Sequence, residues 1–125
     1  MNQNIIDLYE INFQNRIEDS KFHGRKISKF PFTNDSILTT FLYDWNAREI
    51  NEYLISDIED VLNGVLPEAQ NGSETITIVI EPATTTFYID NVGTNYPEVP
   101  TRDFKEIVIG WRDFLLTSPL NGTKV

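Results

Sequence analysis

The residues of this chain that could perform acid–base or nucleophilic chemistry are few. His23 is the only histidine, and the chain contains no cysteine. A hydroxyl–histidine–acid arrangement would combine His23 with Ser20 or Ser28, in a basic segment that shows no signal for an oxyanion hole. The lack of cysteine excludes a thiolate nucleophile, a disulfide framework and a cysteine-based zinc site. We therefore interpret His23 as an ordinary surface residue and predict no catalytic residues.

Carboxylates are abundant, but their setting does not favour catalysis. Asp57, Glu59 and Asp60 lie close together in the sequence. General acid catalysis needs a carboxyl group in an apolar pocket, where its pKa rises, whereas these acids are predicted on an exposed helix face. The segment lacks the spacing and the central glycine of an EF-hand loop, and no glycine-rich nucleotide-binding motif occurs. We predict no metal and no other cofactor, with a small carboxylate-dependent metal hydrolase as an alternative that bound divalent metal would support.

The acids are more informative as a charge distribution. The stretch from Asp44 to Glu74 holds eight acids and one base, which gives it a net charge of −7 out of −9 for the whole chain. The segment from Arg16 to Lys29 has the opposite sign, with five bases and two acids. Such a field acts on association rate and partner choice more than on the fold. It indicates a protein that captures a basic partner, and it argues against direct nucleic-acid binding, which needs clustered Lys and Arg.

Length and composition predict one domain over residues 1–125, with residues 1–35 the part that the sequence describes least well. The 125 residues are 40% hydrophobic, which is enough for a core, and no apolar run is long enough to span a membrane. The N-terminus has no basic region of the kind that begins a secretory signal, and the absence of cysteine fits a reducing compartment. We therefore expect a cytoplasmic protein.

The clearest predicted element is an acidic helix. Its apolar stripe recurs at three- and four-residue steps and comprises Ile50, Leu54, Ile58, Val61, Leu62 and Val65. Asn46 and Glu49 are expected to form a capping box at its start, and Gly64 to end it. The opposite face carries Glu52, Ser56, Glu59 and Asp60, with Asp57 at its border. The simplest interpretation is a solvated helix face. Against it, this face has almost no Lys or Arg for i,i+4 pairs, so its acids repel one another, and a cost of that kind indicates selection for a partner.

The remaining pattern predicts a hairpin and a second long helix. Alternating apolar residues over 73–90, interrupted by Pro82, predict two antiparallel strands. Thr101 is expected to cap a helix that ends before Pro119, with an apolar stripe of Phe104, Ile107, Val108, Trp111 and Leu115. Residues 91–100 are expected to form a loop, and the C-terminal tail to be irregular. Together these elements predict an α+β fold, with a small antiparallel sheet and two main helices packed on one of its faces.

The N-terminal third gives weaker patterns. Residues 4–13 place Ile5, Tyr9, Ile11 and Phe13 on one side of a period-2 alternation and predict a strand. Lys26 to Phe32 predicts a second strand. Residues 33–36 are rich in capping residues and favour a short helix over the segment that follows, whereas Thr39 and Thr40 favour a strand there. Of the two, we predict the helix.

Aromatic residues adjoin the acidic helix. Tyr43, Asp44 and Trp45 precede it directly, and aromatic rings beside carboxylates are typical of a hot spot for a Lys- or Arg-rich partner. The alternative is that Tyr43 and Trp45 are core residues, as the helical stripe predicts for Trp111.

Three segments together resemble a group of small bacterial immunity proteins. These are DIEDVLNG from Asp57 to Gly64, the Thr- and Ile-rich hairpin, and PTRDFKEIVIGWRDFL from Pro100 to Leu115. Such proteins neutralise the toxic domains of contact-dependent growth inhibition and other polymorphic toxin systems, and the resemblance covers about residues 37–116. It implies a cytoplasmic, non-enzymatic protein that binds a cognate toxin, often a basic nuclease, and blocks its active site. Because immunity families diverge at their contact surfaces, the resemblance assigns no binding residues.

The predicted function is therefore toxin inhibition through an acidic surface. The partner would be a basic protein toxin domain, with no direct contact to nucleic acid or membrane, and the protein would be a monomer or a weak homodimer. The charge argument alone assigns the toxin-binding residues, which are Tyr43, Asp44, Trp45, Glu49, Glu52, Asp57, Glu59 and Asp60. A self-associating structural protein, paired through an edge of the predicted hairpin, is the alternative from another class.

Overall fold

Helices and strands mix along the chain, and the predicted α+β class is confirmed. The structure is a computed structural model that describes residues 1–22, 24–89 and 97–118 together with the backbone of 123–124. The helices are α1 (Gln3–Tyr9), α2 (Ser36–Tyr43), α3 (Ala47–Glu49), a π-helix (Ile50–Ile55), α4 (Ser56–Leu62) and α5 (Thr101–Leu115). The strands are β1 (Asn12–Ser20), β2 (Gly24–Phe32), β3 (Ala69–Gly72), β4 (Ile76–Ile80), β5 (Thr84–Ile89), β6 (Glu98–Pro100) and β7 (Thr123–Lys124).

The strands form two sheets. The first has the order β2-β1-β7, in which β1 and β2 are an antiparallel hairpin and β7 pairs in parallel with Asn15 and Arg16 of β1. The second is an antiparallel meander with the order β3-β4-β5-β6. The predicted hairpin is confirmed as β4 and β5. Because β3 and β6 cover both of its edges, self-association through such an edge would first require one of them to be displaced.

The prediction for residues 4–13 is wrong over most of its length, because Gln3–Tyr9 is helical. The Asn2 side chain caps this helix by accepting a hydrogen bond from the backbone N–H of Asn4 at 2.8 Å. The predicted strand Lys26–Phe32 is confirmed as part of β2, and its partner β1 was not predicted. Residues 33–36 start α2 as expected, with the Asp35 carboxylate accepting hydrogen bonds from two backbone N–H groups.

The acidic helix spans residues 47–62 and contains a π-helical turn in its middle. The capping box of Asn46 and Glu49 is confirmed, as is the stop at Gly64, whose φ of +77° suits glycine. The stripe from Ile50 to Val61 is buried as predicted. Val65 was wrongly included, because the helix ends at Leu62 and leaves Val65 68% exposed. Ile55, which the predicted stripe left out, is also buried, and it lies three residues before Ile58 and seven before Leu62.

The predicted second long helix is α5, and its stripe is buried with Leu115 at the margin. Thr101 is not its cap: it is the first helical residue, fully buried, and its hydroxyl donates to the Glu81 carbonyl oxygen. Residues 98–100 of the predicted loop form β6 instead, because Glu98 to Pro100 pair with β5. Residues 90–96 and Pro119 lie outside the described residues. The tail was predicted to be irregular, but residues 123–124 pair with β1.

An aromatic core holds the two sheets and the helices together. Phe41, Phe87 and Phe104 meet in edge-on and tilted contacts with ring centroids 5.5–6.1 Å apart. Trp111, as predicted, is a core residue: it is 1% exposed and its ring centroid lies 5.0 Å from that of Phe13 on β1. Its indole N–H donates to the Leu42 carbonyl oxygen at 2.9 Å, which ties α5 to α2. No helix within the described part of the chain is long and apolar enough to cross a membrane.

Candidate functional site

Two of the predicted toxin-binding acids have basic neighbours. The Arg48 guanidinium lies 2.9 Å from the Glu52 carboxylate, one turn apart on the same helix. The Lys105 ammonium on α5 lies 3.9 Å from the Glu59 carboxylate. Glu52 therefore has an i,i+4 partner of the kind that the sequence analysis expected to be almost absent, whereas the base beside Glu59 comes from another helix. All four side chains are at least one-third exposed, so each pair contributes only about 0–1 kcal/mol.

The other acids differ in how they are held. Asp57 accepts a hydrogen bond from the Asn71 side-chain amide on β3 at 2.6 Å, and Glu49 is held by the capping box. The side chains of Asp44 and Asp60 make no hydrogen bond or ion pair with any residue that the structure describes. These two carboxylates therefore keep their charge free for a partner.

An open cleft of about 470 Å³ lies where the acidic helix begins. It is lined by Asp44, Trp45, Glu49, Gly72, Ser73 and Glu74. Three of these residues are acids and none is a base. The sequence predicted Asp44, Trp45 and Glu49 as site residues but not Glu74, because the turn between β3 and β4 reaches the cleft only through tertiary folding.

Trp45 is a core residue, as the alternative interpretation predicted, and it also lines the cleft. It is 9% exposed, and its ring centroid lies 5.6 Å from that of Phe41. Its indole N–H is buried without a hydrogen-bond partner among the described residues. Tyr43 is 52% exposed and is not a core residue.

Tyr43 belongs to a row of stacked rings that the sequence analysis missed. Its ring stacks on Phe30 of β2 at 5.4 Å between centroids, and Phe30 stacks on Phe32 at 5.8 Å, both at 18° between ring planes. We call these three residues the aromatic ladder. The Arg16 guanidinium on β1 lies 5.8 Å from the ring centroids of both Phe30 and Phe32. The signal was present in the sequence, because Phe30 and Phe32 alternate around Pro31 and so share one face of a strand.

The basic segment from Arg16 to Lys29 is partly occupied within the protein. The Lys29 ammonium donates to the carbonyl oxygens of Phe114 and Thr117 and lies 4.4 Å from the Phe114 ring centroid. Burial lowers the pKa of Lys29, although three hydrogen bonds hold its ammonium group. Arg25 pairs with Asp19 at 3.1 Å. Lys29 therefore anchors the hairpin to the end of α5 and is not available for a partner.

The arrangement suits recognition of a cationic side chain. Carboxylates beside an aromatic ring attract a guanidinium or an ammonium group both by charge and by the ring face. No group of three or more His, Asp or Glu side chains is arranged to hold a metal within the described ranges, and His23 lies outside them. No protein-family model, no curated protein and no solved structure matches this chain.

Proposed function

We propose that this protein is an immunity protein that captures a basic toxin domain in the cytoplasm and inhibits it without catalysis of its own. The contact surface would comprise the outward face of the acidic helix and the cleft beside its first turn. The observation that carries the proposal is the cleft, which has three acids and a tryptophan but no base among its lining residues. It lies within a stretch whose net charge is −7.

Charge is the physical basis of the proposed inhibition. A nuclease that binds phosphates presents Lys and Arg at its active site, and an acidic surface competes for the same side chains. Steering by opposite charges raises association rates up to about 10⁸–10⁹ M⁻¹s⁻¹ at low salt, and the rate falls as salt increases. Speed matters for an inhibitor that must bind an incoming toxin before the toxin reaches its substrate.

The acids without partners are the residues to substitute in a test of this proposal. Asp44, Asp60 and Glu74 make no side-chain hydrogen bond or ion pair with described residues, so their reversal to Lys should leave the fold intact. We would capture proteins from the source lysate on tagged wild type and on this triple variant at low salt. A captured protein would then be expressed alone and together with the wild type. The proposal expects one basic protein near stoichiometry, arrest of growth when it is expressed alone, and rescue by the wild type.

A matched variant separates a local effect from net charge. Reversing Glu10, Glu81 and Glu98, which are exposed and lie outside the acidic helix and its cleft, changes the net charge of −9 by the same amount. We expect the cleft variant to weaken capture well over tenfold and the control variant to weaken it only slightly. Equal loss in both variants would refute the acidic surface as the contact. A captured protein that is not toxic would refute the immunity function.

A further inference from the structure

The aromatic ladder and the acidic cleft meet at consecutive residues. Tyr43 ends the ladder, Asp44 follows it in the chain, and Asp44 lines the cleft together with Trp45. Phe30 and Phe32 are half-buried, whereas Tyr43 is 52% exposed. The ladder thus continues the proposed contact surface onto the β1–β2 hairpin, where a ring face of the partner can pack.

A cation lies beside two rings of the ladder, Phe30 and Phe32. The Arg16 guanidinium rests against the faces of Phe30 and Phe32 and makes no hydrogen bond or ion pair with any described residue. Two rings restrict its position, so less side-chain entropy is lost when it binds a carboxylate. A guanidinium held in this way favours a carboxylate, which it can contact through two parallel N–H groups. The surface therefore runs from a cation beside Phe30 and Phe32, past Tyr43, to a set of carboxylates.

We propose that this surface takes a partner segment with three parts in a fixed order: a carboxylate, an aromatic ring and a Lys or Arg side chain. The carboxylate binds Arg16, the ring packs on Tyr43, and the cation enters the cleft at Asp44. This inference rests on the proposed function and deepens it. The proposed function was argued from negative charge alone, whereas here the interface has a positive end at Arg16 and a negative end at Asp44. Opposite charges at the two ends set the direction in which the segment lies, since the reversed direction places like charges together.

Short peptides test the carboxylate and the ring of this segment directly. The peptide acetyl-Glu-Gly-Trp-Gly-Lys-amide carries all three parts, acetyl-Gln-Gly-Trp-Gly-Lys-amide lacks the carboxylate, and acetyl-Glu-Gly-Ala-Gly-Lys-amide lacks the ring. Each is titrated into ¹⁵N-labelled protein, and dissociation constants are taken from the amide shifts. We expect the complete peptide to bind about fivefold more tightly than either of the others, as one exposed ion pair or one ring contact can supply.

Substitutions assign the two effects to residues. Arg16→Gln should abolish the preference for the Glu peptide over the Gln peptide, whereas Arg102→Gln, which alters an exposed cation on α5, should keep it. Tyr43→Ala should abolish the preference for the Trp peptide over the Ala peptide. Tyr88→Ala is its control, because Tyr88 is 38% exposed on β5 and belongs neither to the ladder nor to the acidic helix.

Two results would overturn the inference. One is equal affinity of the wild type for the Glu and Gln peptides, and the other is an unchanged preference for Trp in Tyr43→Ala. Neither result touches the proposed function, which fails only in the capture and rescue experiment. If the captured toxin binds Arg16→Gln and Tyr43→Ala as tightly as the wild type, the ladder is not part of the interface, although the cleft still is.

Discussion

The two tryptophans allow the same substitution to be compared in two chemical settings. Trp111 and Trp45 are both buried, at 1% and 9% exposure. Among the residues that the structure describes, only the Trp111 indole N–H has an acceptor, the Leu42 carbonyl oxygen at 2.9 Å. Replacement of either by Phe removes one N–H and part of a ring. The loss of packing is similar in kind at both sites, so the hydrogen bond decides the difference between them.

The magnitude follows from the partners of each N–H group. In Trp111→Phe a hydrogen bond worth about 1 kcal/mol is lost. The Leu42 carbonyl is not left unpaired, because it also accepts from the Trp45 backbone N–H at 3.3 Å. In Trp45→Phe a buried donor without a partner is removed, which recovers about 1–3 kcal/mol of desolvation free energy and offsets the loss of packing. We expect Trp111→Phe to lower the free energy of unfolding by about 2 kcal/mol more than Trp45→Phe does.

Urea denaturation followed by far-ultraviolet circular dichroism measures this difference. Each variant keeps one tryptophan, so the fluorescence of the remaining indole gives an independent transition that should coincide with the first. If the slope of the unfolding free energy against urea concentration is the same in both variants, their unfolded states are comparable. Equal losses of stability in the two variants would refute the reasoning, because the hydrogen bond would then contribute nothing that the unpaired N–H lacks.

Three further predictions concern the scaffold. Thr101 and Thr85 are both buried, with hydroxyl oxygens 3.0 Å apart, so each Thr→Val change should cost about 1–2 kcal/mol in urea denaturation and the double variant less than the sum. Gly64→Ala should cost about 1 kcal/mol in the same assay, because φ is +77° while no atom lies near the added methyl group. Burial, together with the hydrogen bond to Asp103, raises the pKa of Tyr9. The folded state then holds the phenolic proton more tightly than the unfolded state, so stability should fall above about pH 10 and fall less in Tyr9→Phe, as pH-dependent thermal unfolding would show.

The long amphipathic helices and the central hairpin could be predicted because their signals are local and repeated. Ile50, Leu54 and Ile58 follow one helical face over two turns, and a capping box marks where that face begins. The strand prediction for the α1 segment was wrong for a physical reason. A separation of four residues, as between Ile5 and Tyr9, fits both the period of 2 of a strand and the period of 3.6 of a helix. The capping residue Asn2 distinguishes helix from strand here, because such a residue is favoured at the start of a helix and not of a strand.

The parts of the site that were missed depend on distant contacts. Strand β1 has a buried asparagine, Asn15, at a position where an apolar residue is expected. The sequence of β1 therefore lacks the alternation of apolar and polar residues that predicts a strand. Glu74 joins Asp44 only because β3 and β4 pack against the acidic helix. Lys105, which pairs with the Glu59 carboxylate, comes from another helix. The charges along the sequence therefore predicted that this surface is negative. Which of its carboxylates lack a partner could be seen only from the folded structure.

The π-helical turn between Ile50 and Ile55 lets the acidic helix hold one extra residue between two ends that are both fixed in the core. Its i→i+5 pattern holds one residue more than an α-turn does. Deletion of one residue there would convert the turn to ordinary α-helix and would leave residues 56–62 on nearly the same side relative to residues 47–49. The same deletion within the α-helical segment Ser56–Leu62 would instead rotate the residues after it by about 100°. Because Ile50 and Ile58 anchor the two ends in the core, a deletion at the turn keeps Glu59 and Asp60 on their present surface, whereas a deletion between Ser56 and Ile58 would move them without any charged residue being replaced.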